Sequence, residues 1–166
     1  DAGNLFVNST VTAGGAGNVT LTADGGAVDI TAVVNTTSGN IEITGESVTQ
    51  DANIDTDGMV TVTADTGAIT MEDGRTTRGL LGIVYQAATD VALSILTSGS
   101  TVEVTADSDS NFSGAISDNL TSNENSNIIG TTATLLAATG IGGTGTGEDI
   151  ETSVSTLSAT NSTSGD

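Results

Sequence analysis

Apolar and polar positions alternate along short stretches of the chain, and the alternation returns at a fixed interval. Residues 17–30 read GNVTLTADGGAVDI, and forty-one residues later 58–71 read GMVTVTADTGAITM, with eight of fourteen positions identical. A third copy of the core, VEVTAD at 102–107, follows after a further forty-two residues. Within each copy the aliphatic residues fall on one side and the threonines on the other, as Val19, Leu21 and Ala23 do against Thr20 and Thr22. A period of two is that of a half-buried strand, and recurrence at a fixed spacing is the mark of a repeat architecture.

Taken in order, residues 4–13 predict one or two short strands and 17–24 the next, with Gly25-Gly26 turning the chain into a strand over 27–33. Residues 35–39 (NTTSG) read as a turn before a strand at 40–44, and 51–58 (DANIDTDG) as a polar corner. Strands are expected at 59–64, 68–72, 80–87, 91–96 and 101–106. Residues 73–79 (DGRTTRG) carry both arginines and read as a loop leaving the pattern. Residues 107–127 are rich in Asp, Ser and Asn, so a long corner with one degenerate strand is expected, with Phe112, Ala115, Ile116 and Leu120 as its buried candidates. Residues 128–138 are apolar again, 140–149 (GIGGTGTGED) form a glycine-rich loop, and 150–160 supply the last strands. Helical spacing is nowhere convincing; over 80–96 the β-branched content and the central Asp90 favour strands.

Glycines at 17, 39 and 58 divide the 41-residue period into two coils of about 20 residues. The expected fold is therefore all-β: a right-handed parallel β-helix of about eight coils with open ends, spanning 1–166 as one domain with irregular loops near 73–79, 107–127 and 140–149. Inward Val, Ile, Leu and Ala would form columns and outward Thr would form ladders. Residues 161–166 (NSTSGD) echo 35–40 (NTTSGN), so the last strand is suited to be continued by the first, in a tandem chain or between stacked copies.

Composition sharpens this picture. Aromatics are 2% of the chain and proline is absent, which suits thin aliphatic layers. Two cationic side chains stand against 21 acidic ones, a formal charge of −19, so nucleic acid and insertion into an anionic membrane are excluded as partners. There is no cysteine to form disulfides or thiolate metal sites and no lysine to form isopeptide bonds. With no initiating methionine, signal sequence or transmembrane run, the chain reads as a processed product or a piece of a longer one.

The GN-aliphatic-x-aliphatic pattern at Gly17 and Gly39, and loosely at Gly3 and Gly58, resembles the repeats of filamentous-haemagglutinin-like and related giant bacterial or archaeal surface proteins. Residues 134–166 are similar to segments that recur in very long exported repeat proteins. The resemblance implies a right-handed β-helix at the cell surface with a structural or adhesive role and no catalytic residue. Copies of itself or adjacent repeats, head to tail, are then the implied partners, with glycans or surface proteins the partners of an adhesin.

Candidate chemistry is sparse. Asn53, Asp55 and Asp57 before Gly58 place oxygens at alternate positions, as at the start of a calcium loop, although Ala64 stands where an EF-hand needs its glutamate. Asp107, Asp109 and Asn111 make a second alternation, and a solvated acidic corner is the favoured reading of both sets. Six Asn-x-Ser/Thr sequons, at Asn8, Asn18, Asn35, Asn111, Asn119 and Asn161, become glycan acceptors if the chain is exported by a glycosylating cell. Glu72, Asp73, Arg75 and Arg78 are where both charges meet, the one setting for a polysaccharide-active β-helix enzyme, and a local salt-bridged loop explains them as well. Threonine pairs such as Thr10/Thr12, Thr20/Thr22 and Thr61/Thr63 raise ice binding, against which Asp29, Glu42 and Glu103 interrupt the array. The leading expectation is a non-catalytic rod segment, with calcium as an optional ligand.

Overall fold

The computed structural model describes residues 3–121, 125–143 and 148–163. They form three seven-stranded sheets, every pairing parallel, wound into a β-solenoid of about seven turns with no helix. Each turn contributes one strand to each sheet. Turn 1 comprises Leu5–Val7 in sheet A, Val11–Ala13 in sheet B and Val19–Thr22 in sheet C. Turn 4, at the middle, comprises Ile69–Met71, Thr76–Gly79 and Gly82–Ala87, and turn 7 comprises Gly140–Ile141, Thr152–Ser153 and Thr156–Asn161.

Alternation decides which side chains enter the bore. In sheet C, Val19, Ile41, Val60, Ile83, Val102 and Ala133 stack in register through six turns, and all are buried. Val28, Val48, Ile69, Val91 and Ile116 form a matching column in sheet A. Each such side chain removed from water contributes about 1.5–3 kcal/mol, and the parallel ladder satisfies the backbone between turns.

Seven turns stand where eight were expected, because the coils are unequal. Ile41 pairs with Val60, 19 residues on, but Val102 pairs with Ala133, 31 residues on. The excess lies within the polar stretch 107–127, whose backbone leaves the coil through left-handed conformations at Asp107, Ser110 and Phe112. The strand expected there is Ala115–Asp118. Ile116 and Leu120 are buried, Ala115 is half-buried, and Phe112 is 68% exposed. Asn127, fully buried, ties the excursion back: its Nδ2 donates to the Ser94 carbonyl (3.1 Å) and Asp118 Oδ1 (2.6 Å), and its Oδ1 accepts from the Glu151 amide (2.9 Å).

Sheet B runs through stretches that read as corners. Val34–Thr36 occupies the expected turn, Ile54–Thr56 the expected polar corner, and Thr76–Gly79 the loop expected to leave the coil. The physical reason is that its inward residues include hydroxyls. Thr36 Oγ1 donates to the Gly17 carbonyl (2.7 Å) and Thr56 Oγ1 to the Gly39 carbonyl (2.6 Å), so buried threonines close the corner into sheet C. Leu80 and Leu81, expected to open the next strand, instead sit exposed at the corner between sheets B and C. The expected loop at 140–149 begins with the strand Gly140–Ile141 and lies partly outside the described residues, as does the C-terminal half of the 161–166 echo.

The recurring Gly-Asn pair has a double role. A Cβ on Gly39 would overlap the carbonyl of Gly17 one turn earlier, so glycine is required by close approach of backbone to backbone. Asn18 Oδ1 accepts from the Asn40 amide (2.9 Å) and Asn40 Oδ1 from the Met59 amide (3.1 Å), a side-chain ladder that splices successive turns where the strands stop.

Candidate functional site

Three features could carry function: the Arg78 cluster on sheet B, a buried polar triad in the bore, and the outer face of sheet C.

Asn53, Asp55 and Asp57 point to the same side because they follow strand alternation about Ile54–Thr56. The register sets Asp55 beside Arg78 of the next turn. Arg78 Nη1 donates to Asp55 Oδ1 (2.9 Å) and Nη2 to Asp57 Oδ1 (2.6 Å), while Asn53 Oδ1 accepts from the Thr76 amide (3.0 Å). These two carboxylates hold the guanidinium in its charged form. The cluster borders an open cleft of about 430 Å³ lined by Val33, Asn53, Ile54, Asp55, Thr76 and Arg78. Arg78 remains about 41% exposed, so the pair contributes under about 1 kcal/mol.

The charged group expected at 72–78 is thereby divided. Arg78 turns to the preceding turn, Asp73 accepts from the Thr121 hydroxyl (3.1 Å), and Arg75 and Glu72 are exposed. Asp51, half-buried, has its carboxyl pKa raised by burial first and then by Asp29 and Glu72, with Arg75 opposing. Among the described residues no three acidic side chains are grouped to hold a metal. Asp107 Oδ1 caps the Phe112 amide (3.0 Å) and Asp109 accepts from Asn111 Nδ2 (2.8 Å), so this second alternation folds its own loop.

The sequon asparagines divide by what their amides do. Asn119 Nδ2 donates to the Met71 carbonyl (2.6 Å) and Asn111 Nδ2 to Asp109, which engages the nitrogen a glycan would need. Asn8 and Asn18 are exposed and use Oδ1 as acceptors, from the Thr31 hydroxyl and the Asn40 amide. Asn35 faces outward on sheet B and Asn161 closes the last strand, both half-buried.

The polar triad was not legible in the sequence. The Tyr85 hydroxyl donates to Gln50 Oε1 (2.7 Å), Gln50 Nε2 donates to Thr77 Oγ1 (3.0 Å), and Thr77 Oγ1 lies 2.7 Å from the Tyr85 oxygen. All three residues are buried among aliphatic neighbours, and burial raises the Tyr85 pKa well above its ordinary value. Closed to solvent, the triad has structural rather than catalytic use.

On the outer face of sheet C, two columns run the length of the solenoid. One reads Thr20, Glu42, Thr61, Val84, Glu103, Thr134, Ser158, and the other Thr22, Thr44, Thr63, Gln86, Thr105, Leu136, Thr160. Glu42 and Glu103 interrupt the threonines here as expected, whereas Asp29 lies on sheet A and Thr12 on sheet B, outside this array. No helix among the described residues is long and apolar enough to cross a membrane. No family model matches the chain, and comparison with curated proteins and with solved structures finds no match.

Proposed function

We propose that this chain is a non-catalytic structural segment of an extracellular filament or giant cell-surface protein, a stiff acidic rod that extends by stacking turn on turn. The observation that carries the reading is the unbroken register of the inward column Val19, Ile41, Val60, Ile83, Val102, Ala133 and Leu157 through all seven turns of sheet C, in which each turn is a template for the next. Leu157 extends that column and is 50% exposed. Leu5, Val11 and Leu21 are only partly buried at the opposite end. A further coil, from the same polypeptide or from another copy, would cover these residues and continue all three ladders. Right-handed winding on a basic coil of about 20 residues, and kinship with filamentous-haemagglutinin-like proteins, belong to the same proposal and are supported by the GN repeats.

The test is electron microscopy of the purified chain beside the variants Leu157→Asp and Leu21→Asp, with circular dichroism to confirm β content. Rods many units long that shorten to single solenoids in the folded variants support the reading. Rods of undiminished length in both variants overturn it.

A second reading is an adhesin for a glycan or protein receptor. It is favoured by Phe112, which the loop 107–114 holds exposed in a left-handed conformation capped by Asp107. A glycan array that retains the wild type and releases Phe112→Ser would favour it over the rod.

A further inference from the structure

A carboxylate oxygen withdrawn from water is costly unless a donor or a cation meets it. Asp118 Oδ2 and Glu151 Oε2 are two buried oxygens with no hydrogen-bond partner, and Ser94, fully buried, leaves its Oγ without one as well. The three residues belong to consecutive turns at the corner between sheets A and B. Ser94 joins Val91–Leu93 to Ile95–Ser98 in turn 5, Asp118 ends the strand Ala115–Asp118 in turn 6, and Glu151 precedes Thr152–Ser153 in turn 7.

Register and hydrogen bonds gather them about one side chain. Asp118 lies opposite Leu93, the neighbour of Ser94, and Glu151 lies opposite Asn127, because Thr152 pairs with Ile128. Asn127 Nδ2 donates to the Ser94 carbonyl and to Asp118 Oδ1, while its Oδ1 accepts from the Glu151 amide. Both protons of that amide are thereby engaged, and none is left for the unpartnered oxygens. The Leu120 amide also donates to Asp118 Oδ1 (2.7 Å), so the carboxylate is held by one oxygen and presents the other. No cationic side chain neutralises the corner. The chain has no lysine or histidine, and among the described residues the ion pairs are those of Arg78 with Asp55 and Asp57. Asp51, which also carries a buried unpartnered oxygen, differs in that the charge of Arg75 acts on it.

We propose that Ser94 Oγ, Asp118 Oδ2 and Glu151 Oε2 bind one calcium ion at this corner, with water completing its coordination. All three ligands are hard oxygens, and two carboxylates match the charge of a divalent cation. Calcium accepts irregular sets of oxygens, whereas magnesium demands a near-ideal octahedron and gives up its water reluctantly, so a corner built from three turns suits calcium. The site differs from the expected acidic alternations, whose oxygens hold Arg78 or the amides of their own loop. Its consequence is structural. Turn 7 adds two residues each to sheets A and B, Gly140–Ile141 and Thr152–Ser153, and an ion shared by turns 5, 6 and 7 ties that turn down where its ladders are shortest. The proposal is independent of the rod reading, because it uses no residue of the terminal strand of sheet C.

Calorimetric titration of chelator-treated protein with calcium chloride tests it, in potassium and magnesium chloride to suppress diffuse association with the acidic surface. The wild type is expected to bind one ion per chain with a dissociation constant of about 10⁻⁵–10⁻³ M. Asp118→Asn keeps an acceptor for the Leu120 and Asn127 amides, and Glu151→Gln keeps its main-chain bond, so both should retain the circular dichroism of the wild type. Each should weaken binding by about tenfold or more, and Ser94→Ala, which removes a neutral ligand, by less. Glu103→Gln, which removes the same charge from the outer face of sheet C, should leave the affinity unchanged. Calcium should also slow hydrogen exchange over 115–118 and 150–153 in the wild type and fail to do so in Glu151→Gln. Should one carboxylate variant not fold, the other carries the test. Absence of saturable binding means that water alone serves these oxygens and overturns the proposal. Equal losses in Glu103→Gln and Glu151→Gln mean an adventitious ion only, and unchanged affinity in the folded carboxylate variants places the ion elsewhere; either overturns it.

Discussion

Tyr85 and Gln50, 35 residues apart in the chain, meet at 2.7 Å inside the bore, where the tyrosine hydroxyl donates to Gln50 Oε1. Turn 3 supplies Gln50 and turn 4 supplies Tyr85 and Thr77, so the contact joins two turns whose remaining inward neighbours are aliphatic. An aliphatic column slides at little cost in contact, whereas a directional bond fixes which residues lie over which.

Removing one partner should therefore cost more than removing all three. Tyr85→Phe is expected to destabilise by about 1–3 kcal/mol, because Gln50 and Thr77 lose a buried partner. The combination of Gln50→Leu, Thr77→Val and Tyr85→Phe should recover much of that loss. Denaturant unfolding of the wild type, the three single variants and the triple variant decides it, and additive losses would argue against a coupled triad.

Alkaline pH provides a separate test, since Tyr85 is the chain's single tyrosine. Its folded pKa is raised by burial above the ordinary value of about 10.0, so above that pH the unfolded state releases a proton that the folded state keeps. Stability is thus fully present below about pH 10 and falls as pH rises beyond it. Phenolate absorbance should appear only together with loss of β-sheet circular dichroism, and Tyr85→Phe should abolish the Tyr85 contribution to this alkaline loss.

Close packing of glycine against backbone predicts sharp position dependence. Gly39→Ala, with its Cβ against the Gly17 carbonyl, should cost about 1–3 kcal/mol or more, while Gly14→Ala meets nothing within 4 Å and should be near neutral. Melting temperatures of the two variants give the comparison directly.

Arg78 lies between Asp55 and Asp57 and donates to both. Arg78→Gln should cost under about 1 kcal/mol at low salt and less at high salt. Added calcium should then raise the melting temperature of the variant more than that of the wild type. An equal calcium response in both would place any calcium site elsewhere.

Much of sheet C and most of sheet A were legible along the chain because their inward residues are Val, Ile, Leu and Ala at a period of two, repeated at Val19, Val60 and Val102. That periodicity determined the parallel strands, the solenoid and the exposure of Thr20 and Thr22. The middle strands of sheet B were hidden because Thr36, Thr56 and Thr77 are buried hydroxyls whose partners belong to other strands or other turns, and a polar residue gives no sign of burial until its partner is known. The candidate site followed the same rule: the spacing of Asp55 and Asp57 was visible, but the cation they hold is Arg78, more than 20 residues on. Local alternation thus fixes which way a side chain points, while register between turns, set by the length of every intervening corner, decides what it meets.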